Sequence, residues 1–113
     1  MLNCSIKLKI GDEEGSFCGP GLIALLKEID NTGSVAKASS NLGISYSKVW
    51  KMINSSEERF KTTLVVRSAG GKGGGKAELT EEAKEIYHLY EEMEKKLQKE
   101  SESLFSLLFD KYI

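Results

Sequence analysis

The spacing of apolar and polar residues changes several times along this chain, and each change marks an element. Residues 5–10 (SIKLKI) alternate polar and apolar, the two-residue period of a strand. The glycine-bounded stretch 11–15 (GDEEG) reads as a turn, and residues 16–18 return as a short second strand. Gly19-Pro20-Gly21 then breaks the chain before a helix from Leu22 to about Asn31. Proline suits such an entry, because the first turn of a helix has no use for its missing N–H. Leu22, Leu25, Leu26 and Ile29 share one face of that helix, with Lys27, Glu28 and Asp30 off it.

Two short helical patterns occupy residues 33–54 (GSVAKASSNLGISYSKVWKMIN) and are broken at Gly43. Val35, Ala38 and Leu42 recur at helical spacing in the first, and Val49, Met52 and Ile53 in the second. Ser34 and Ser45 precede them as N-caps. Small residues at 38 and 39 allow a close crossing, and glycine allows the sharp bend. This is the pattern of a helix-turn-helix, whose second helix is free to enter a DNA major groove. That helix runs to about Phe60, with Val49 and Ile53 inward. Tyr46, Ser47, Lys48 and Lys51 lie off the inward face near the N-terminal end, where such helices meet base edges. Trp50 sits one residue off the core row, aligned with Tyr46 and Asn54, and reads either as packing or as a DNA contact.

The β-branched run 62–67 (TTLVVR) is a strand, the stretch 68–75 (SAGGKGGG) a glycine-rich turn, and 76–79 (KAEL) the returning strand. A hairpin directly after a recognition helix is the wing of a winged helix. Lys72 at its tip, with Arg67 and Lys76 at its sides, is placed for phosphate or for the minor groove. Thr80 then caps a long helix whose first turn carries Glu81 and Glu82. Ala83, Ile86, Tyr87, Tyr90, Met93, Leu97, Ser101, Leu104 and Leu108 follow a 3–4 spacing with no Pro or Gly between them. A helix of roughly 29 residues is ~43 Å long. That exceeds what so small a domain covers, so the apolar stripe is expected to continue into a second subunit, the alternative being a helix folded back at Ser101-Glu102-Ser103 onto its own domain. The expected dimer contacts are Leu22, Ile86, Tyr90, Met93, Leu97, Leu104 and Leu108.

These elements predict a mostly α chain with small β-hairpins: a winged helix-turn-helix over residues 1–79 and a dimerisation helix with its tail over 80–113. The chain has 113 residues, 40% of them hydrophobic and 29% charged, a balance that suits one globular domain. No apolar run approaches the ~20 residues of a membrane span, and the N-terminus lacks the pattern of a signal peptide, so a cytoplasmic protein is expected. Cys4 and Cys18 read as free thiols. With His88 distant from both, no metal ligand set is expected, and no cofactor. The net charge of −1 hides an asymmetry. Residues 34–76 carry a net +6, residues 1–33 a net −2 and residues 77–113 a net −5. A basic centre between acidic ends suits docking on phosphates through one face.

On these residues the chain resembles the DNA-binding domain of molybdate-responsive (ModE-type) transcription regulators, which share the winged helix of LysR-type regulators. The resemblance rests on Leu25-Leu26 and Ile29, Thr32-Gly33-Ser34-Val35, Ala38, Leu42-Gly43-Ile44-Ser45-Tyr46, Trp50, Ile53-Asn54, Leu64-Val65 with Arg67, residues 70–75 (GGKGGG) and Leu79-Thr80. It spans about residues 5–100. It implies a homodimer that binds double-stranded DNA and regulates transcription. The residues assigned to DNA are Ser34, Lys37, Ser45, Tyr46, Ser47, Lys48, Trp50, Lys51, Asn54, Arg67, Lys72 and Lys76. Two positions depart from the family pattern: Ala83-Lys84 replaces a common glycine, and Ser55-Ser56 stands where an apolar residue is usual. The family's oxyanion-sensing modules follow this domain, so the chain is expected to lack the molybdate-binding part. A separate sensor protein or effector would then supply the signal.

Two other functions are weighed against this one. Residues 70–76 fit the GxxxxGK spacing of a nucleotide phosphate loop, but Ala77 replaces the Ser or Thr that holds Mg²⁺, and a strand follows instead of a helix. One histidine and two scattered cysteines offer no acid–base pair, so no enzyme is expected. The remaining alternative is a dimeric helical module that binds protein and not DNA. The clustered positive charge stands against it.

Overall fold

Helix α1 (Pro20–Thr32) is the element against which the rest packs. Pro20 stands in its first turn, and Gly33 ends it at φ 68°, donating its N–H to Ile29 O. Its Leu25, Leu26 and Ile29 are fully buried, and Leu22 and Ile23 nearly so. Each such side chain contributes about 1.5–3 kcal/mol by leaving water. The computed structural model describes residues 1–68 and 75–113.

Before α1 stands a hairpin of β1 (Ile10–Asp12) and β2 (Gly15–Cys18). After it come α2 (Val35–Leu42), α3 (Tyr46–Phe60), a second hairpin of β3 (Val65–Ser68) and β4 (Lys76–Leu79), and the long helix α4 (Glu81–Leu108). A single 3₁₀ turn, Asp110–Tyr112, follows. The two hairpins form separate two-stranded antiparallel sheets. One core unites Leu22, Leu25, Leu26 and Ile29 with Val35, Ala38, Val49, Ile53, Leu64, Val65, Ala77, Leu79, Ala83 and Tyr90. The architecture is the expected helical one with two small hairpins, but the first hairpin is shifted: Gly11 and Asp12, expected in its turn, pair as strand residues.

The first strand begins later than its alternation implies. Residues 5–10 were expected to be extended and paired, yet pairing starts only at Ile10. The preceding residues lie along α4 instead. Gln98 accepts from Ile6 N at 3.0 Å and donates to Cys4 O at 2.7 Å, while Tyr90 Oη donates to Leu8 O at 2.6 Å. The alternation is real, with Ile6, Leu8 and Ile10 half-buried. Their inward side meets a helix whose backbone is already paired, so the segment's backbone groups find side-chain partners.

The wing strand also starts late, at Val65 and not at Thr62, and extends through Ser68. Leu64 N and Val65 N donate to the Glu57 carboxylate on α3, at 2.8 and 3.2 Å. On the other side Ala77 N donates to Gly33 O at 2.9 Å, tying β4 to the end of α1. Thr80 caps α4 through Ala83 N and donates its hydroxyl to Thr63 O at 2.7 Å. The side-chain oxygens of Glu57 and Thr80 thus hold both ends of the wing.

Helix α4 runs unbroken for 28 residues, straight through Ser101-Glu102-Ser103. Its first half belongs to the core of the winged helix, since Ala83 and Tyr90 are buried there. Lys27–Glu91, at 2.7 Å, and Tyr87–Asp30, at 3.2 Å, join it to α1. The start of α4 therefore packs as part of the same core as α1. Two expected dimer contacts are corrected by the same packing. Leu22 is 2% and Tyr90 3% exposed, because both point into the subunit's own core. No helix of the described residues is long and apolar enough to cross a membrane.

Removing the Glu57 carboxylate strands two sheltered N–H groups, so Glu57→Ala should cost about 1–3 kcal/mol in urea unfolding. Cys18 is buried, and desolvation pushes its thiol from 9.0 up to about 11. At pH 8 the folded protein should therefore react with a thiol reagent quickly at half-buried Cys4 and at Cys18 only on unfolding. Equal rates at both would contradict this packing.

Candidate nucleic-acid interface

The turn between α2 and α3 is closed by short-range bonds that the sequence dictates. Gly43 adopts φ 66°, a conformation open to glycine at little cost, and caps α2 through Ser39 O and Ser40 O. Ile44 N donates to Ser39 O, and the Ser39 hydroxyl donates to Ile44 O. Ser34 accepts from Lys37 N at 3.1 Å, and Ser45 accepts from Lys48 N at 3.2 Å. Both serines are N-caps, as expected, and each keeps a hydroxyl hydrogen for a further acceptor.

Rotation of α3 is set by Val49, Ile53 and Ser56, all fully buried. Ser56 is accommodated without an apolar side chain because its hydroxyl donates to Met52 O at 2.7 Å within the helix. At 100° per residue, burying 49, 53 and 56 turns Ser47, Lys51 and Asn54 to the opposite side, flanked by Lys48. All four are exposed, as are Ser45, Tyr46 and Lys37. Among the described residues no carboxylate lies in ion-pair range of Lys37, Lys48, Lys51, Arg67 or Lys76. Their charge is therefore available to an anionic partner.

Trp50 is half-buried and belongs to neither side outright. Its ring meets Tyr46 edge-on with centroids 6.3 Å apart, and the Arg67 guanidinium lies over its face at 4.4 Å. Arg67 and Lys76 are exposed on the two wing strands. Lys72 and most of the glycine-rich turn, including the phosphate-loop spacing, lie outside the described residues. On α4, Met93, Leu97, Leu104 and Leu108 are exposed, and Ile86 is half-buried. They form a stripe about a quarter turn from the row that carries Tyr90 and Gln98.

Three residues that order this surface carried no signal in the sequence. Glu57 anchors the wing. Gln98 clamps the N-terminal segment. Arg59 holds the first hairpin against α3, within 3.6 Å of Asp12 and 3.3 Å of Glu14, with Phe17 under its guanidinium. Each partner lies outside the residue's own helix, so spacing within the element gave no warning.

Residues 21–84 match the sequence model of the bacterial regulatory helix-turn-helix proteins of the lysR family. The transcriptional regulator ModE of Yersinia pestis is 38% identical over 90 residues, covering 80% of this chain and 34% of the relative. The transcriptional regulator ModE of Haemophilus influenzae is 35% identical over 115 residues, covering 96% and 45%. The solved structure of ArgP from Mycobacterium tuberculosis is similar at a TM-score of 0.54 and 26% identity, over 80% of this chain and 31% of that one. The chain thus spans between a third and a half of the length of these curated relatives. The match covers helices α1 to α3, both wing strands and the start of α4, and the chain belongs to the lysR family of bacterial regulatory helix-turn-helix proteins.

Proposed function

We propose that the chain binds double-stranded DNA sequence-specifically as a homodimer and regulates transcription. The observation that carries this reading is the exposed basic and polar face of α3, unpaired among the described residues and held rigid by a buried row on its opposite side. Ser47, Lys48, Lys51 and Asn54 enter the major groove and read base edges. Lysine suits guanine acceptors and asparagine suits adenine. Ser34, Lys37, Ser45 and Tyr46, with Arg67, Lys72 and Lys76 of the wing, grip phosphates and set the register.

Two subunits join through the α4 stripe of Met93, Leu97, Leu104 and Leu108, with Ile86 at its edge. Two-fold symmetry then calls for a roughly palindromic site with half-sites ~34–36 Å apart. The regulatory signal comes from an effector or a separate sensor protein. Molybdate is the first to test, because relatives include a molybdenum transport protein ModE of Azotobacter vinelandii.

Selection from random duplexes, with and without molybdate, should return a two-fold site. If no duplex binds even at low salt, the chain is a protein-binding helical module. Lys48→Ala should cost ~1–3 kcal/mol at one base position of that site. Lys76→Ala should weaken all sequences alike and lower the salt slope by about 0.9 for each phosphate no longer neutralised. Equal, sequence-blind losses from both would contradict the assigned roles. Leu97→Asp with Leu104→Asp should halve the mass in sedimentation and abolish preference for two half-sites over one. An unchanged mass would place the dimer contact elsewhere.

A further inference from the structure

The stack of Arg67 on Trp50 joins the two parts of the surface that must meet one duplex together. Trp50 lies on the flank of α3 between its buried row and its exposed face. Arg67 reaches it because of the wing's register. Val65 pairs with Leu79 and Arg67 with Ala77, so these four side chains share the wing face turned toward the core. Val65, Ala77 and Leu79 are buried there. Arg67, nearer the tip, emerges at the edge and lays its guanidinium on the indole at 4.4 Å.

Two features separate this contact from ordinary packing. The indole Nε1–H is sheltered from water and has no acceptor among the described residues. A phenylalanine or leucine would fill the space without that penalty. What tryptophan adds is the side-chain π face that attracts a cation most strongly. In addition, Arg67 makes no hydrogen bond through its guanidinium among the described residues, although it is held in place. A cation–π stack restrains the planar group through its face and leaves its N–H edge unspent, and that edge matches phosphate geometry.

We infer that Trp50 is a positioning residue for duplex binding. It holds Arg67 so that the wing's guanidinium meets the phosphate backbone in register with Ser47, Lys51 and Asn54 in the groove. This role rests on the DNA-binding function proposed above. It makes the recognition helix and the wing one rigid clamp, and it assigns Trp50 to neither base reading nor core filling.

The test is a double-mutant cycle on the full chain, measuring duplex affinity against salt for the selected site. Arg67→Ala should weaken binding about two- to tenfold and lower the salt slope by about 0.9 for each phosphate it leaves unneutralised. Trp50→Leu should reproduce most of that loss with Arg67 still present. The double variant should be little worse than either single one, and Trp50→Phe should retain most of the affinity. Thermal unfolding confirms that each variant is folded. Trp50 is the only tryptophan, so its emission reports the stack without DNA. Arg67→Ala should change that emission in the free protein. Additive losses, or an emission indifferent to Arg67→Ala, would overturn the positioning role while leaving DNA binding intact. Failure of the unaltered chain to bind any duplex would overturn the functional reading and this role with it.

Discussion

Burial of Val49, Ile53 and Ser56 is the constraint on which the functional surface depends. A helix has one rotational freedom about its axis, and sealing one side against the core removes it. Ser47, Lys51 and Asn54 are exposed because three residues between and beyond them are not. Two short-range devices set the angle of entry: the left-handed glycine at 43 and the Ser45 cap. The surface therefore needs no ligand to organise it, and the ordering entropy is offset by the core before any partner arrives.

The wing is held to the same helix by different means. It has only two strands, too few to be stable alone in water. Its base is fastened by the Glu57 carboxylate, by Gly33 O and by Thr80. Its inner face is closed by Val65, Ala77 and Leu79. Toward the tip, hydrogen bonds to the body give way to the Trp50–Arg67 stack. Charge arithmetic treats Glu57 as a cost to DNA binding. Its oxygen is spent on backbone amides, and among the described residues Lys48, Lys51 and Lys76 have no carboxylate in ion-pair range.

Helix α4 serves two purposes with two faces. Ala83, Tyr90 and Gln98 face the subunit, and the last two fasten the N-terminal segment along the helix. That segment continues into the hairpin gripped by Arg59 at the far end of α3. The exposed leucines about a quarter turn away leave an apolar stripe for another surface. Periodicity alone merges these faces into one, which is how Tyr90 came to be expected at a subunit contact.

The sequence by itself determined the elements and their punctuation. Gly33, Gly43, Pro20 and the caps Ser34, Ser45 and Thr80 act on atoms a few residues away, so their effect can be read locally. The helix-turn-helix, the hairpin after it and the exposed basic face of α3 follow from such signals. Tertiary structure decided which side of a long apolar pattern faces inward. It also placed residues 4–8 on Gln98 and Tyr90, gave Glu57 to the wing, and set Arg67 on Trp50. Each of these joins groups on different elements, separated in the chain by 7 residues for Glu57 and by 94 for Gln98. Spacing within one element cannot specify such pairs, because they exist only once the core has fixed the elements against each other.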